Sequence, residues 1–168
     1  QGVVMAAEEN IPELACPGPS LAPRIEDMPD RSDSPIFVKT RQFEARKLGI
    51  AEARDQVELR RAEQLLTTEL LRYDPQPEII TIPGKVFYED SAIHISGSDA
   101  YYNFLNENGR FVDVDYGLMG SSAKGSATEI TVDSGNHSIL HSLQFTTCPG
   151  DKPEWLLTAK ELDLSFED

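Results

Sequence analysis

Positive charge is scarce in this chain of 168 residues: 15 Lys and Arg face 29 Asp and Glu, a net charge of −14. A surface of that sign is repelled by nucleic-acid backbones and by anionic membrane faces, so neither is an expected partner. An anionic ligand would have to be held by apolar contact or by a local cluster of Lys and Arg. Cysteine is almost missing as well, with two in the chain and no CxxC pair, and with three His the spacing matches no zinc site. Two cysteines leave three states open: one disulfide, two free thiols, or two partners for cysteines elsewhere. No run of about 18 apolar residues exists, so no membrane-spanning helix is expected. The first residue is Gln1, and no charged segment followed by an apolar one comes after it, the reading expected of a processed or trimmed fragment.

Catalytic constellations are equally thin. His137 and His141 share a strand face but lie roughly 13 Å apart, too far to share an ion. Asp113 and Asp115 flank Val114 as paired carboxylates do in glycosidases, yet the solvent face of a strand in an acidic protein accounts for them. Gly120–Gly125 lacks the lysine a phosphate loop needs after its second glycine, where Ser126 stands. No Ser/His/Asp or Cys/His set is apparent, and Cys148 has only Lys152 near it in sequence to depress its pKa. No enzyme activity, cofactor or metal site is expected.

What remains is β-patterning around one stretch, Leu143–Phe166, which holds Cys148 and the single tryptophan, Trp155. Leu143 and Phe145 alternate with polar residues, and Cys148–Pro153 breaks the run. Alternation resumes at Trp155, Leu157 and Ala159, then slips by one to Leu162, Leu164 and Phe166, the signature of a bulge. Upstream, residues 1–34 are proline-punctuated and acidic, an extended tail carrying Cys16. Ile36, Val38 and Thr40 alternate after Pro35 as a short edge strand. Glu44–Leu71 is ambiguous: Ala, Glu, Leu and Arg favour a helix with Ile50, Ala53, Val57, Leu66 and Leu70 as its stripe, while the same residues also alternate as strands. From Glu78 on, strands of five to ten residues are separated by turns at Glu89–Ser91, Gly97–Asp99, Asn106–Gly109, Gly120–Gly125 and Asp133–Asn136. Val112, Val114, Tyr116 and Leu118 read as one face. This is the pattern of an antiparallel sandwich or roll in a single domain, residues 35–168.

Thr146-Thr147-Cys148-Pro149-Gly150-Asp151-Lys152-Pro153-Glu154-Trp155, followed by Leu157-Thr158-Ala159, resembles the end of the periplasmic N-terminal (OstA-like) domain of the LptD family, the outer-membrane lipopolysaccharide-assembly proteins of Gram-negative bacteria. Leu71-Arg72-Tyr73-Asp74, Gly84-Lys85-Val86-Phe87-Tyr88 and Lys124-Gly125-Ser126-Ala127 match family elements, and Cys16 sits where the family has its first mature-chain cysteine. The resemblance covers roughly Ile36–Asp168. It implies an all-β, V-shaped antiparallel β-jelly roll with an open hydrophobic groove, and it selects strands for Glu44–Leu71.

Lipopolysaccharide would travel with its acyl chains in the groove, received from the periplasmic bridge protein LptA. LptA would add a strand to the edge formed by Ile36, Phe37, Val38, Lys39 and Thr40. A membrane barrel with the plug lipoprotein LptE would follow Asp168, placing the domain on the periplasmic side of the outer membrane. The expected groove lining takes one parity per strand: Val57, Leu59, Leu66, Ile80, Ile82, Val86, Tyr88, Ile93, Ile95, Tyr102, Phe104, Val114, Tyr116, Leu118, Ile139, Leu143, Phe145, Trp155 and Leu157. In the family each of these cysteines ends bridged to the barrel after a first bridge between the two. The resemblance therefore implies, for this chain, a Cys16–Cys148 disulfide or two free thiols. The competing reading is a closed-core β-sandwich, a carbohydrate-binding or adhesin module.

Overall fold

The computed structural model describes residues 34–103, 105–106, 108–133 and 137–165. Among these, the strands are β1 (Phe37–Lys39), β2 (Gln42–Ala45), β3 (Ala51–Arg61), β4 (Gln64–Asp74), β5 (Ile79–Glu89), β6 (Ile93–Asn103), β7 (Asn108–Leu118), β8 (Lys124–Asp133), β9 (His137–Thr146) and β10 (Leu157–Ser165). All pairings are antiparallel, and β3 to β10 follow one another in sequence order. β1 and β2 both lie on the outer edge of β3, at residues 58–60 and 51–54. The chain crosses from one to the other where the Thr40 hydroxyl donates to the Arg54 carbonyl at 2.6 Å and the Arg41 amide to that of Asp55 at 3.1 Å. This is an antiparallel β-jelly roll, and the strands expected over Glu44–Leu71 are there in place of a helix.

The strands are long because their turns are tight. Ala62 and Glu63 alone connect Arg61 to Gln64, with Ala62 at φ 50°. The Asp90 carboxylate accepts the amides of Ala92 and Ile93. Two expected turns are not turns: Gly97–Asp99 lies within the unbroken strand β6, and Asn108 and Gly109 are the first residues of β7, opposite Asn103 and Tyr102, and do not close the hairpin. Gly109 is needed there for closeness, since a Cβ would stand 2.7 Å from the Tyr102 ring.

Each long strand bends near its middle. Its apolar residues face the same interior on both sides of the bend, so the side-chain parity must be reset there. In β3 the consecutive inner core residues are Ala53 and Val57, and in β5 Ile82 and Val86, four apart. In β4 they are Thr68 and Leu71, three apart. The mismatch of one residue appears as register shifts in β3–β4, β4–β5 and β5–β6. From β6–β7 onward the spacing is three on both partners: Phe111/Val114, Ala127/Ile130, Leu140/Leu143, Ala159/Leu162. There no register shift occurs; paired strands turn over together. The slip expected in β10 is therefore real as a change of face, without the inserted residue of a bulge. The odd strands carry the left-handed backbone this requires, at Asp55, Gln56, Gly84, Asp113 and Ser142.

Folding over at this line brings the two halves of the strands together around one interior. The first cluster joins Ala53, Val57, Leu71, Ile80, Ile82, Val86 and Ala100, and the second joins Ile95, Val114, Tyr116, Ala127, Ile130, Leu140 and Leu143. Phe111 packs against both, with its ring centroid 6.1 Å from that of Tyr88 on the opposite side of the bend.

Candidate functional site

The site this fold offers is the interior itself. β1 and β10 are the two ends of the sheet and do not pair with each other, so the described strands form a trough and not a closed barrel. Its middle is filled by the two clusters; its ends are not. At the first end Val38 pairs with Leu59 and Phe43 with Ala53, both on inner rows, yet they are 49% and 65% exposed. At the other end Leu157, opposite Phe145, is 50% exposed. Apolar inner rows thus run the length of the sheet and emerge into solvent at both ends.

The expected lining divides accordingly. Val57, Ile80, Ile82, Val86, Ile95, Val114, Tyr116 and Leu143 are buried inside it. Leu59, Leu66, Tyr88, Ile93 and Phe145 are half-buried and packed on the clusters. Tyr102 pairs with Ile80 and Gly109 on the same face. Leu118 and Leu157 are exposed, and Trp155 precedes β10, its ring 5.9 Å from that of Phe145. Phe104 lies outside the described residues. Ile139 is on the wrong face: it pairs with Thr131 and Asp163, while its neighbour Leu140 is in the core. Val112 likewise pairs with Glu129 on the outer face and Phe111 takes the inner position. Both errors come from carrying one parity across a bend that resets it. Leu71, Phe111 and Leu140 fall outside the expected lining for the same reason, and the i, i+3 spacing of apolar residues is the signal that marks them; Ile130 and Leu162 are further inner residues on strands from which the expected lining takes nothing or stops at Leu157.

The motif residues have specific duties. Lys124 Nζ donates to the Gly150 carbonyl at 2.8 Å and so holds the Cys148 loop. Gly125 leaves room for the Tyr116 ring, whose hydroxyl donates to the Gln144 carbonyl; burial pushes that phenol up from its usual pKa. Gly84, at φ 108°, donates to Asp99, and Val86 and Tyr88 follow on the inner face. The Thr146 hydroxyl donates to the Trp155 carbonyl at 2.8 Å and accepts the Cys148 amide at 3.1 Å, closing the loop between β9 and β10. Cys148 is 2% exposed and disulfide-bonded, so of the states open from sequence the free thiol is ruled out for it. Cys16 lies outside the described residues.

The carboxylates and imidazoles singled out from sequence lie on the outer face and in pairs with neighbouring groups. Asp113 and Asp115 are exposed on the outer face, where Asp113 accepts from Ser98. His137 and His141 pair with Asp163 and Glu161 of the neighbouring strand. No group of three His, Cys, Asp or Glu suited to a metal ion occurs among the described residues.

No protein-family model matches the chain. Curated relatives do. The LPS-assembly protein LptD of Thiobacillus denitrificans is 26% identical over 132 residues, covering 79% of this chain and 18% of that protein. LptD of Nitrosococcus oceani is 25% identical over 168 residues, 99% of this chain and 23% of that protein. The chain spans about a fifth of the length of the relatives it matches. Among solved structures, LptH of Pseudomonas aeruginosa, described as the LptA-homologous periplasmic component of a lipopolysaccharide transport device, superposes with a TM-score of 0.54. Its identity is 20%, over 62% of this chain and 80% of that one, a likeness of fold.

Proposed function

We infer, from the premise that the chain is an N-terminal OstA-like domain of the LptD kind, that it takes part in lipopolysaccharide transport and carries the lipid's acyl chains along its trough. The observation that supports this reading is that the inner apolar rows, packed together at the middle, emerge into solvent at both ends, where an acyl chain can be laid against them. An acyl chain laid there is worth about 0.8 kcal/mol per buried CH₂, so several chains supply affinity in a protein of net charge −14 without cationic contacts. An open trough lets the lipid move on, where a closed cavity would hold it. No bond is made or broken in this reading; energy for transport comes from elsewhere.

Each end has a partner in this proposal. At the first, β1 is terminal among the described strands, with none of them on its outer edge, and is suited to an added strand from an LptA-like bridge protein. At the other, β10 leads toward a membrane barrel with its LptE plug, on the periplasmic side of the outer membrane. The Cys148 disulfide, with Cys16 as its proposed partner, pins the first segment of the chain to that end. The competing closed-core carbohydrate-binding or adhesin module would leave its inner rows sealed and bind through a flat outer face.

Competition tests the reading. Intact lipopolysaccharide should displace a fluorescent fatty acid from the domain, and lipopolysaccharide stripped of its acyl chains should not. Displacement by the stripped sugar would support the carbohydrate-binding alternative.

A further inference from the structure

Charge is distributed unevenly along the sheet. Residues 34–74 carry eight Lys or Arg against seven Asp or Glu, a balance of +1, while residues 75–165 carry five against thirteen, −8. The surplus concentrates on the outer face at the β2–β3–β4 corner. Arg54 and Arg72 both bind the Glu52 carboxylate, Arg72 through Nε at 2.8 Å and Arg54 through Nε and Nη2. Arg46 binds Glu44 at 3.2 Å. An open hollow of about 220 Å³ lies between them, lined by Arg46, Ile50, Ala51, Glu52, Arg54 and Arg72.

The arrangement has more donors than its carboxylates can use. Three guanidiniums bring fifteen N–H donors to two carboxylates with about eight acceptor sites. Glu52 is nearly buried, with 9% of its side chain exposed, and it anchors two arginines whose own side chains remain 53% exposed. The carboxylate therefore holds the guanidiniums in place from below while the remaining Nη donors of Arg54 and Arg72 are left for solvent, the kind of donor a tetrahedral oxyanion takes. A structural ion pair alone would need one arginine for Glu52. The third, Arg46, adds charge at the hollow's rim and contributes nothing to Glu52.

We propose that the Arg46–Arg54–Arg72 corner is an anion subsite that takes a phosphoryl group. It lies on the face opposite the trough, so it is independent of the acyl-chain reading. The phosphoryl could belong to a lipid headgroup or to free phosphate, and the two are separable.

The test uses the whole chain, with ¹⁵N-labelled arginine side chains followed by NMR as sodium phosphate is added at constant ionic strength. Saturable shifts confined to Arg46, Arg54 and Arg72 are expected. Arg72→Lys keeps the charge beside Glu52 but loses the planar fork, and should weaken phosphate about tenfold, the lower end of what a lost charge-assisted hydrogen bond gives. Arg46→Gln, which leaves Glu52 fully paired, should weaken it similarly with an unchanged melting temperature. Arg110→Gln, at the distant Glu129 pair, should change nothing. Flotation with phosphatidylglycerol vesicles, against phosphatidylcholine, assigns the source: capture lost in Arg72→Lys identifies a headgroup, and phosphate saturation without capture identifies free phosphate. Absence of saturable shifts, or equal weakening in Arg110→Gln, overturns the subsite.

Discussion

The β3–β6 half and the β7–β10 half solve one geometric problem in two ways. In both, an extended strand must bend and still present apolar side chains to the same interior. The first half inserts a residue, with core positions four apart on β3 and β5 against three apart on β4, and accepts a shifted register. The second keeps three on every strand and turns the paired strands over together, with left-handed Asp113 and Ser142 absorbing the twist. A shared core can thus be kept across a bend by changing the register or by preserving it. The choice is written in the spacing of the core residues.

If the two clusters are one cooperative interior joined through Phe111, deep truncation in either half should lower a single transition. Leu143→Ala and Leu71→Ala, one from each cluster, should each cost about 2–5 kcal/mol in denaturant unfolding. Two separate transitions would break the comparison by making the halves independent units.

Buried threonines sharpen it. Thr68 donates to the Lys85 carbonyl across the first half's bulge at 2.8 Å, and Thr146 bridges Trp155 and Cys148 at the second half's edge. Thr68→Val and Thr146→Val should each cost about 1–3 kcal/mol by leaving buried polar groups without partners. Only the second should raise proteolytic cleavage in the Cys148–Trp155 loop.

The spacing also explains what sequence could and could not tell. Strand parity within each half-strand was legible: Ile80 and Ile82, Ile93 and Ile95, Leu143 and Phe145 all face inward. Across the bends it was not. One alternation extended through a bend puts Ile139 and Val112 on the inner face, and the structure has them on the outer one. The same three- and four-residue spacing imitates a helical period, and Ala53 with Val57 supplies two of the five positions of the helical stripe in Glu44–Leu71. Family motifs, not periodicity, selected strands there. The Cys148 loop was legible because proline and glycine mark it, but its hold on Lys124 and Thr146 depends on distant pairing that no local pattern encodes.

The two ends differ in what binds them. Val38→Pro removes a donor from a three-residue edge strand and should weaken docking of an LptA-like partner severalfold, measured by titration, with little loss of fold. An unchanged affinity would move the docking edge to the other end.

The smallest effect expected is electrostatic. The Arg72 and Arg54 guanidiniums hold the Glu52 carboxyl below the usual glutamate range. A depressed folded-state value means the stabilisation is present above the unfolded glutamate value and is lost as pH falls through the folded one. Melting temperatures measured from neutral pH downward should fall more for the parent chain than for Glu52→Gln in that acidic window. Parallel curves would remove the pair from the account.

The central claim is that both halves enclose one continuous lipid path. A photo-crosslinker at Tyr102 reports on the first half's inner face, one at Phe145 on the second's, and one at Asp113 on the exposed outer face at the bend. Lipopolysaccharide adducts at Tyr102 and Phe145 with none at Asp113 are the predicted result. Equal labelling at all three positions would contradict it.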